Sequence, residues 1–244
     1  MKAFGRTDKG IVRRDNQDHF QIASLSDEKC LICVVCDGMG GAKAGNVAAQ
    51  AAAETFIKTL SDQPMTLLDD TLVEDALEDA AQAANRVVHE MANGSLDYKG
   101  MGTTLVGAVI CPEKATVINV GDSRAYHISG EEMTQITRDH SLVEDMVRSG
   151  SLTRDEAQKH PNRNLITRVI GTEPQVARDV FEVELKAGDR LIFCSDGLTN
   201  LVSDEEMLLE FKTYQDLEKC CEMLITLALA KGGSDNVTTL MVQV

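Results

Sequence analysis

The chain has 244 residues, 24 basic against 39 acidic, and a formal net charge of −15. That balance argues against a nucleic-acid binder and against adhesion to anionic membranes, both of which need a basic surface. Hydrophobic residues make up 43% of the chain and Trp is absent, so a sizeable core can be buried and it is aliphatic.

From the N-terminus, Met1 to Arg6 lacks the apolar stretch of a secretion signal. No run of about 18 apolar residues marks a membrane span. The expected location is the cytoplasm. Met1 to Thr7 predicts an edge strand, and Asp8-Lys9-Gly10 a turn. Residues 11–18 are polar and without period. Phe20 to Leu25 and Cys30 to Cys36 predict a hairpin closed by Ser26 to Lys29. Leu31 to Cys36 is apolar at every position, which suits a strand covered on both faces. It runs straight into Asp37-Gly38-Met39-Gly40-Gly41, delivering a carboxylate to the rim of a sheet. The 7 cysteines, odd in number, fit free thiols better than a disulfide framework. Cys30, Cys33 and Cys36 do not make a zinc site, because the middle thiol of a strand faces away from the other two.

Lys43 to Leu60 and about Asp70 to Asn93 repeat small apolar residues at helical spacing, predicting two helices that lie close against a sheet. Residues 103–136 predict a four-strand antiparallel meander: Thr103 to Ile110, Ala115 to Val120, Arg124 to Ile128, Met133 to Ile136. His140 to Asn164 is a polar surface excursion in which Thr153 and Glu156 spell a capping box. Strands resume at Leu165 to Ile170, Ala177 to Leu185 and Arg190 to Cys194. A capping box at Ser203 and Glu206 opens a helix through Phe211. A further helix spans about Asp216 to Ala230, and Val237 to Val242 is the last strand. No linker or repeat interrupts the chain. The expectation is one α+β domain over residues 1–244, a sandwich of two antiparallel sheets between outer helices.

Four aspartates share a grammar. Asp37, Asp122 and Asp196 each follow an apolar run, and Asp235 precedes the last one. A single Asp-Gly pair is an ordinary turn; four at strand edges suggest a convergent cluster. Packed carboxylates cannot all stay ionised unless a cation neutralises them. Oxygen-only ligands point to magnesium or manganese rather than zinc.

Seven motifs then stand in order: Gly10-Ile11-Val12-Arg13 with Asn16-Gln17-Asp18, Asp37 to Gly41, Gly102-Thr103-Thr104, Gly121-Asp122-Ser123-Arg124, Asp139-His140-Ser141, Ser195-Asp196-Gly197 and Gly233-Ser234-Asp235-Asn236. Together they resemble the metal-dependent protein serine/threonine phosphatases, the protein phosphatase 2C family in its bacterial form, over almost the whole chain. The resemblance implies a four-layer α-β-β-α sandwich with a manganese or magnesium centre at one sheet edge. It implies that Asp37 bridges two ions, that the Gly38 carbonyl binds one of them, and that Asp196 and Asp235 complete the first ion's shell. Asp18 falls at an outer-shell position, with Gln17 where a Glu is frequent. Asp122, with Asp196, matches the ligands of a third, weaker ion. Arg13 matches the phosphate-binding arginine, and residues 143–164 match a mobile flap. Met39 replaces the histidine proposed as general acid in eukaryotic members, which leaves the proton donor unassigned.

The implied reaction is direct attack of a metal-bridging hydroxide on the phosphorus of phosphoserine or phosphothreonine, without a phosphoenzyme. Two cations suit it, since they lower the pKa of a bound water and offset phosphoryl charge. The implied partners are phosphorylated proteins and a cognate Ser/Thr kinase, with no nucleic acid and no membrane, and the chain is a monomer. The rival reading, a catalytically dead scaffold, should show lost aspartates. Asp37, Asp196 and Asp235 are all present.

Overall fold

The computed structural model describes residues 1–25, 30–41, 44–63 and 70–244. The chain lays down strands β1 (Lys2–Asp8), β2 (Asp18–Ser24) and β3 (Leu31–Met39), then helices α1 (Ala44–Ser61) and α2 (Asp70–Gly94). Strands β4 (Gly102–Thr103), β5 (Leu105–Cys111), β6 (Lys114–Val120), β7 (Arg124–Ser129) and β8 (Glu132–Gln135) follow. Two short helices, α3 (Leu142–Arg148) and α4 (Arg154–Gln158), precede β9 (Asp179–Glu184) and β10 (Arg190–Cys194). Helices α5 (Asp196–Thr199), α6 (Asp204–Thr213) and α7 (Leu217–Ala230) lead into β11 (Val237–Gln243). Among the described residues one sheet has the order β1-β11-β10-β7-β8 and the other β2-β3-β5-β6-β9, with β4 paired to β3.

Strand β3 shows how the layers stack. Ile32, Val34 and Cys36 face the side on which α1 and α2 pack, with Phe56, Ala48 and Leu77 among their cluster. Cys33 and Val35 face the other way, into a core shared between the sheets with Val106, Phe193 and Leu240. The continuous apolar run of this strand is thus explained by two covered faces. On the far side Ile192, Cys194 and Met241 turn out towards Met207, Phe211 and Leu224 of α6 and α7. The result is helices, sheet, sheet, helices. Each fully buried Leu, Ile or Phe contributes about 1.5–3 kcal/mol.

Both predicted capping boxes are present, Thr153 with Glu156 on α4 and Ser203 with Glu206 on α6. The strand expected at Met1 to Thr7 is an edge strand, hydrogen-bonded in its sheet to β11. The hairpin of β2 and β3 forms as well, and its expected loop, residues 26–29, lies outside the described residues.

Four expectations need correction. The meander does not stay in one sheet: β5 and β6 belong to one and β7 and β8 to the other, so the chain crosses over at Gly121 to Ser123. The strand expected from Thr103 is broken at Thr104 into β4 and β5. Leu165 to Ile170 forms no strand, only single bridges from Ile166 to Ser141 and from Ile170 to Thr103. Finally, the cysteines are not all free thiols. The register that sets Leu31 opposite Ile110 also sets Cys30 opposite Cys111, with Cα atoms 4.4 Å apart, and the two are joined as a disulfide.

Candidate metal centre

Residues distant in sequence meet where the two sheets end. Asp18 opens β2 and is the cross-strand partner of Asp37 on β3. Asp122 sits in the turn between β6 and β7, Asp196 begins α5 directly after β10, and Asp235 lies just before β11. Each carboxylate is delivered by a separate piece of chain, which is why only the folded state gathers them.

Short bonds lock that delivery. The Asp37 amide donates to Thr104 Oγ1 at 2.9 Å, while its carbonyl accepts from the Thr104 amide at 2.9 Å and from Thr103 Oγ1 at 2.9 Å. Thr104 in turn shares a 2.7 Å hydrogen bond with Ser123, beside Asp122. The Gly38 amide donates to the Gln17 carbonyl at 3.1 Å. A Cβ on Gly38 would strike the Gly45 carbonyl oxygen at the start of α1, so only glycine lets helix and strand approach this closely. Asn236 ties the other side: its amide donates to the carbonyls of Lys9 and Asp15 at 2.8 and 3.0 Å, and its oxygen accepts from the Gln17 amide at 2.9 Å.

The charges resist this gathering. Burial first, then Asp18, Asp196, Asp122 and Asp235, push the Asp37 carboxyl well above the ordinary carboxylate range. Burial pushes Asp18 up to about 7, with Asp196 and Asp235 adding to the rise and hydrogen bonds from Thr238 and Ser195 opposing it. Asp122 is pushed up to about 8 by burial and by its neighbours Asp196 and Asp139. Asp196 is raised by burial and by Asp235. Like charges held together in a desolvated place favour a proton or a cation.

Among the described residues no three His, Cys, Asp or Glu side chains stand grouped so as to hold an ion as they are. Three of the five carboxylates are instead drawn to side-chain donors of the protein. Asp235 accepts from Arg13 Nη2 at 2.8 Å, Asp196 from Asn200 at 2.9 Å, and Asp18 from Ser195 and Thr238 at 2.7 Å each. Two oxygens are left over: Asp18 Oδ1 and Asp196 Oδ1 are buried with no hydrogen-bond partner. Asp37 and Asp196 also repel one another, a strain that a proton or cation between them would relieve. Orphaned buried oxygens, mutual repulsion and a donor set of oxygen alone suit a hard divalent cation. Gln17, at the position where an acidic residue is frequent, places its side-chain amide 3.5 Å from the Gly41 carbonyl.

Arg13 lies at the exposed mouth of the cluster, held to Asp235 as an ion pair. A groove of about 820 Å³ opens beside Asp122 and Asp196, between the α3–α4 segment and the start of α6, with Arg154, Lys159 and Glu205 on its walls. Sequence reasoning assigned no role to Thr104, Ser195, Asn236 or Thr238. Three of them sit inside the ordered motifs, and that membership was the available signal.

A two-sheet sandwich between helices, with a carboxylate centre at its rim, defines the class of protein as a layered α+β fold built for a metal. The chain belongs to the protein phosphatase 2C family, whose profile matches residues 11–228. It is 37% identical over 246 residues to the serine/threonine phosphatase stp of Listeria innocua, covering 100% of this chain and 96% of that protein. Among solved structures, Stp1 of Staphylococcus aureus superposes with a TM-score of 0.93 at 35% identity, covering 100% of this chain and 94% of that one. The serine/threonine phosphatase PstP/Ppp of Mycobacterium tuberculosis superposes with a TM-score of 0.90 at 33% identity, covering 100% and 98%. The PstP catalytic domain crystallised with 2 manganese ions is also similar, with a TM-score of 0.85 at 32% identity and coverage of 99% and 97%.

Proposed function

We propose that this protein is a metal-dependent protein serine/threonine phosphatase that hydrolyses phosphoserine and phosphothreonine by direct attack of water, with no phosphoenzyme. The observation that carries the reading is the convergence of Asp18, Asp37, Asp122, Asp196 and Asp235, with two buried oxygens unpartnered, beside an exposed arginine. Asp37, the Gly38 carbonyl, Asp196 and Asp235 would hold two manganese or magnesium ions, and Asp122 with Asp196 a weaker third. Asp18 would act from behind, through its bonds to Ser195 and Thr238. Bound there, the ions would supply an activated water and offset phosphoryl charge.

What the chain itself offers agrees with direct hydrolysis. Ser195 and Ser123 are buried and already hydrogen-bonded, to Asp18 and Thr104. Burial raises the Cys36 thiol far above its ordinary value and pushes Cys194 up to about 12, so neither supplies a thiolate at neutral pH. No serine or cysteine nucleophile is thus poised at the cluster among the described residues. Arg13 spends one donor on Asp235 and keeps others for phosphoryl oxygens. The flap, residues 143–164, would border the protein substrate along the groove. A cognate Ser/Thr kinase, a monomeric state and a cytoplasmic location belong to the same reading. Among the described residues, no helix is long and apolar enough to cross a membrane.

Phosphate release from a phosphothreonine peptide should require added manganese and stop with chelator. Equal turnover in chelator would remove the metal from the reaction.

A further inference from the structure

His140 is the buried imidazole that the reading above leaves unused; it is 4% exposed. It lies between the Asp122 turn and the segment that carries α3 and α4. Its Nδ1 accepts from the buried Gly121 amide at 3.1 Å, and its own amide donates to the Gly121 carbonyl at 2.9 Å. With Nδ1 accepting, the ring proton sits on Nε2, which faces Asp179 Oδ2 at 3.3 Å. Arg168 donates to the other oxygen of Asp179 at 2.6 Å and lies 3.0 Å from the same Nε2. Burial and Arg168 hold the imidazole below its ordinary pKa and so in this neutral form.

The same residue closes the root of the α3–α4 segment. The His140 carbonyl accepts from the Thr167 amide at 2.8 Å, and the Leu142 amide donates to the Leu165 carbonyl at 2.9 Å. Gly121 itself has φ +111, a conformation that strains other residues, and glycine's own freedom leaves the turn presenting Asp122 to be fixed by its hydrogen bonds. Two other side chains reach this turn: the Asn119 amide donates to the Gly121 carbonyl at 3.2 Å and the Arg138 carbonyl at 3.0 Å, and Thr104 shares its 2.7 Å hydrogen bond with Ser123.

We infer that His140 is a positioning residue: its Nδ1 fixes the Gly121 amide and hence Asp122, while its backbone and Nε2 anchor the root of the α3–α4 segment. The groove wall and the weak-ion ligand are thereby joined through one residue. The second half of this statement rests on Asp122 serving a weaker third ion, as proposed above. Because Asp122 and the groove wall share one support, displacement of the wall by a protein substrate would be felt at Asp122. A small substrate that never reaches the groove would leave it undisturbed.

Two isosteres separate the ring's two ends. His140→Asn keeps an acceptor where Nδ1 stands and loses the reach to Asp179. His140→Gln keeps a donor near Nε2 and loses the acceptor for Gly121. Amide hydrogen exchange, followed residue by residue in chelator, should be near wild type at Gly121 in His140→Asn. In His140→Gln it should be roughly tenfold faster, the effect of one lost hydrogen bond. Manganese titration should show the weakest site weakened about tenfold in His140→Gln, with the tight sites unchanged in both variants. Wild-type exchange at Gly121 and wild-type weak-site affinity in His140→Gln would overturn the inference. So would equal loss in a folded His140→Asn, which decides the matter alone if the Gln variant fails to fold. Asp122→Asn measured alongside keeps the two claims apart. If it spares the weak site while His140→Gln still frees Gly121, the third-ion reading fails and the positioning role stands.

Discussion

A guanidinium can grip two phosphoryl oxygens at once, which an ammonium cannot reproduce. In the proposed reaction Arg13 would do this; its side chain is 52% exposed and one donor rests on Asp235. Hydrogen bonds to charged groups contribute about 1.5–3 kcal/mol, and about 1.36 kcal/mol is a decade in rate. Arg13→Ala should therefore lower kcat/KM on a phosphopeptide about ten- to a hundredfold, with Arg13→Lys recovering only part. Arg14→Ala, the neighbouring control, should be nearly silent on p-nitrophenyl phosphate; a larger defect there would reassign the phosphate contact. At this scale the aspartates were legible in the sequence because a charged residue at the end of an apolar run is conspicuous. The hydroxyls that fix them were not. Thr104, Ser195 and Thr238 act through single bonds to Asp37 or Asp18, and nothing in a Thr or Ser distinguishes that use from any other.

Helix α1 is seated on the site by two glycines rather than by large side chains. A Cβ on Gly45 would come 2.8 Å from both the Gln17 side-chain carbon and the Gly38 carbonyl carbon. Alanine is the better helix former by about 0.8–1.0 kcal/mol, yet Gly45→Ala should lower the melting temperature, because the helix must lift off Gly38. Unchanged or raised stability would mean that the contact yields easily. Helices were the readily legible elements: α1, α2, α6 and α7 announce themselves by spacing and by capping residues near their ends. Strand partners were less so. Alternation marks a strand and its faces but not its neighbour, so the crossing of β6 and β7 between sheets stayed hidden. The Cys30–Cys111 disulfide is a consequence of that pairing register, and a count of cysteines could not supply it. The pieces around Leu165 to Ile170 looked like a strand because they are apolar, although they make only single bridges.

The whole molecule is a fold that brings repelling carboxylates together, and its stability should depend on pH and metal accordingly. Asp18 and Asp122 hold protons more tightly in the folded state, at about 7 and about 8 against an ordinary value of 3.8. In chelator their contribution is fully present below about 3.8 and lost as pH rises through about 7 to 8, so the ion-free protein should melt lower at pH 8 than at pH 5. Millimolar manganese at pH 8 should restore the loss, since the ions bind only the gathered site. A melting temperature that rises with pH in chelator would contradict this. Within the same logic Asp37→Asn removes a charge from the centre and should leave the ion-free protein as stable as wild type or more so. The most direct measurement is the manganese retained at equilibrium by wild type and by folded Asp37→Asn, read together with phosphopeptide turnover. Wild type should retain two tightly held ions and turn over, whereas Asp37→Asn should lose that pair and nearly all hydrolysis. Two ions and substantial turnover in Asp37→Asn would contradict the assignment of this cluster as the metal centre.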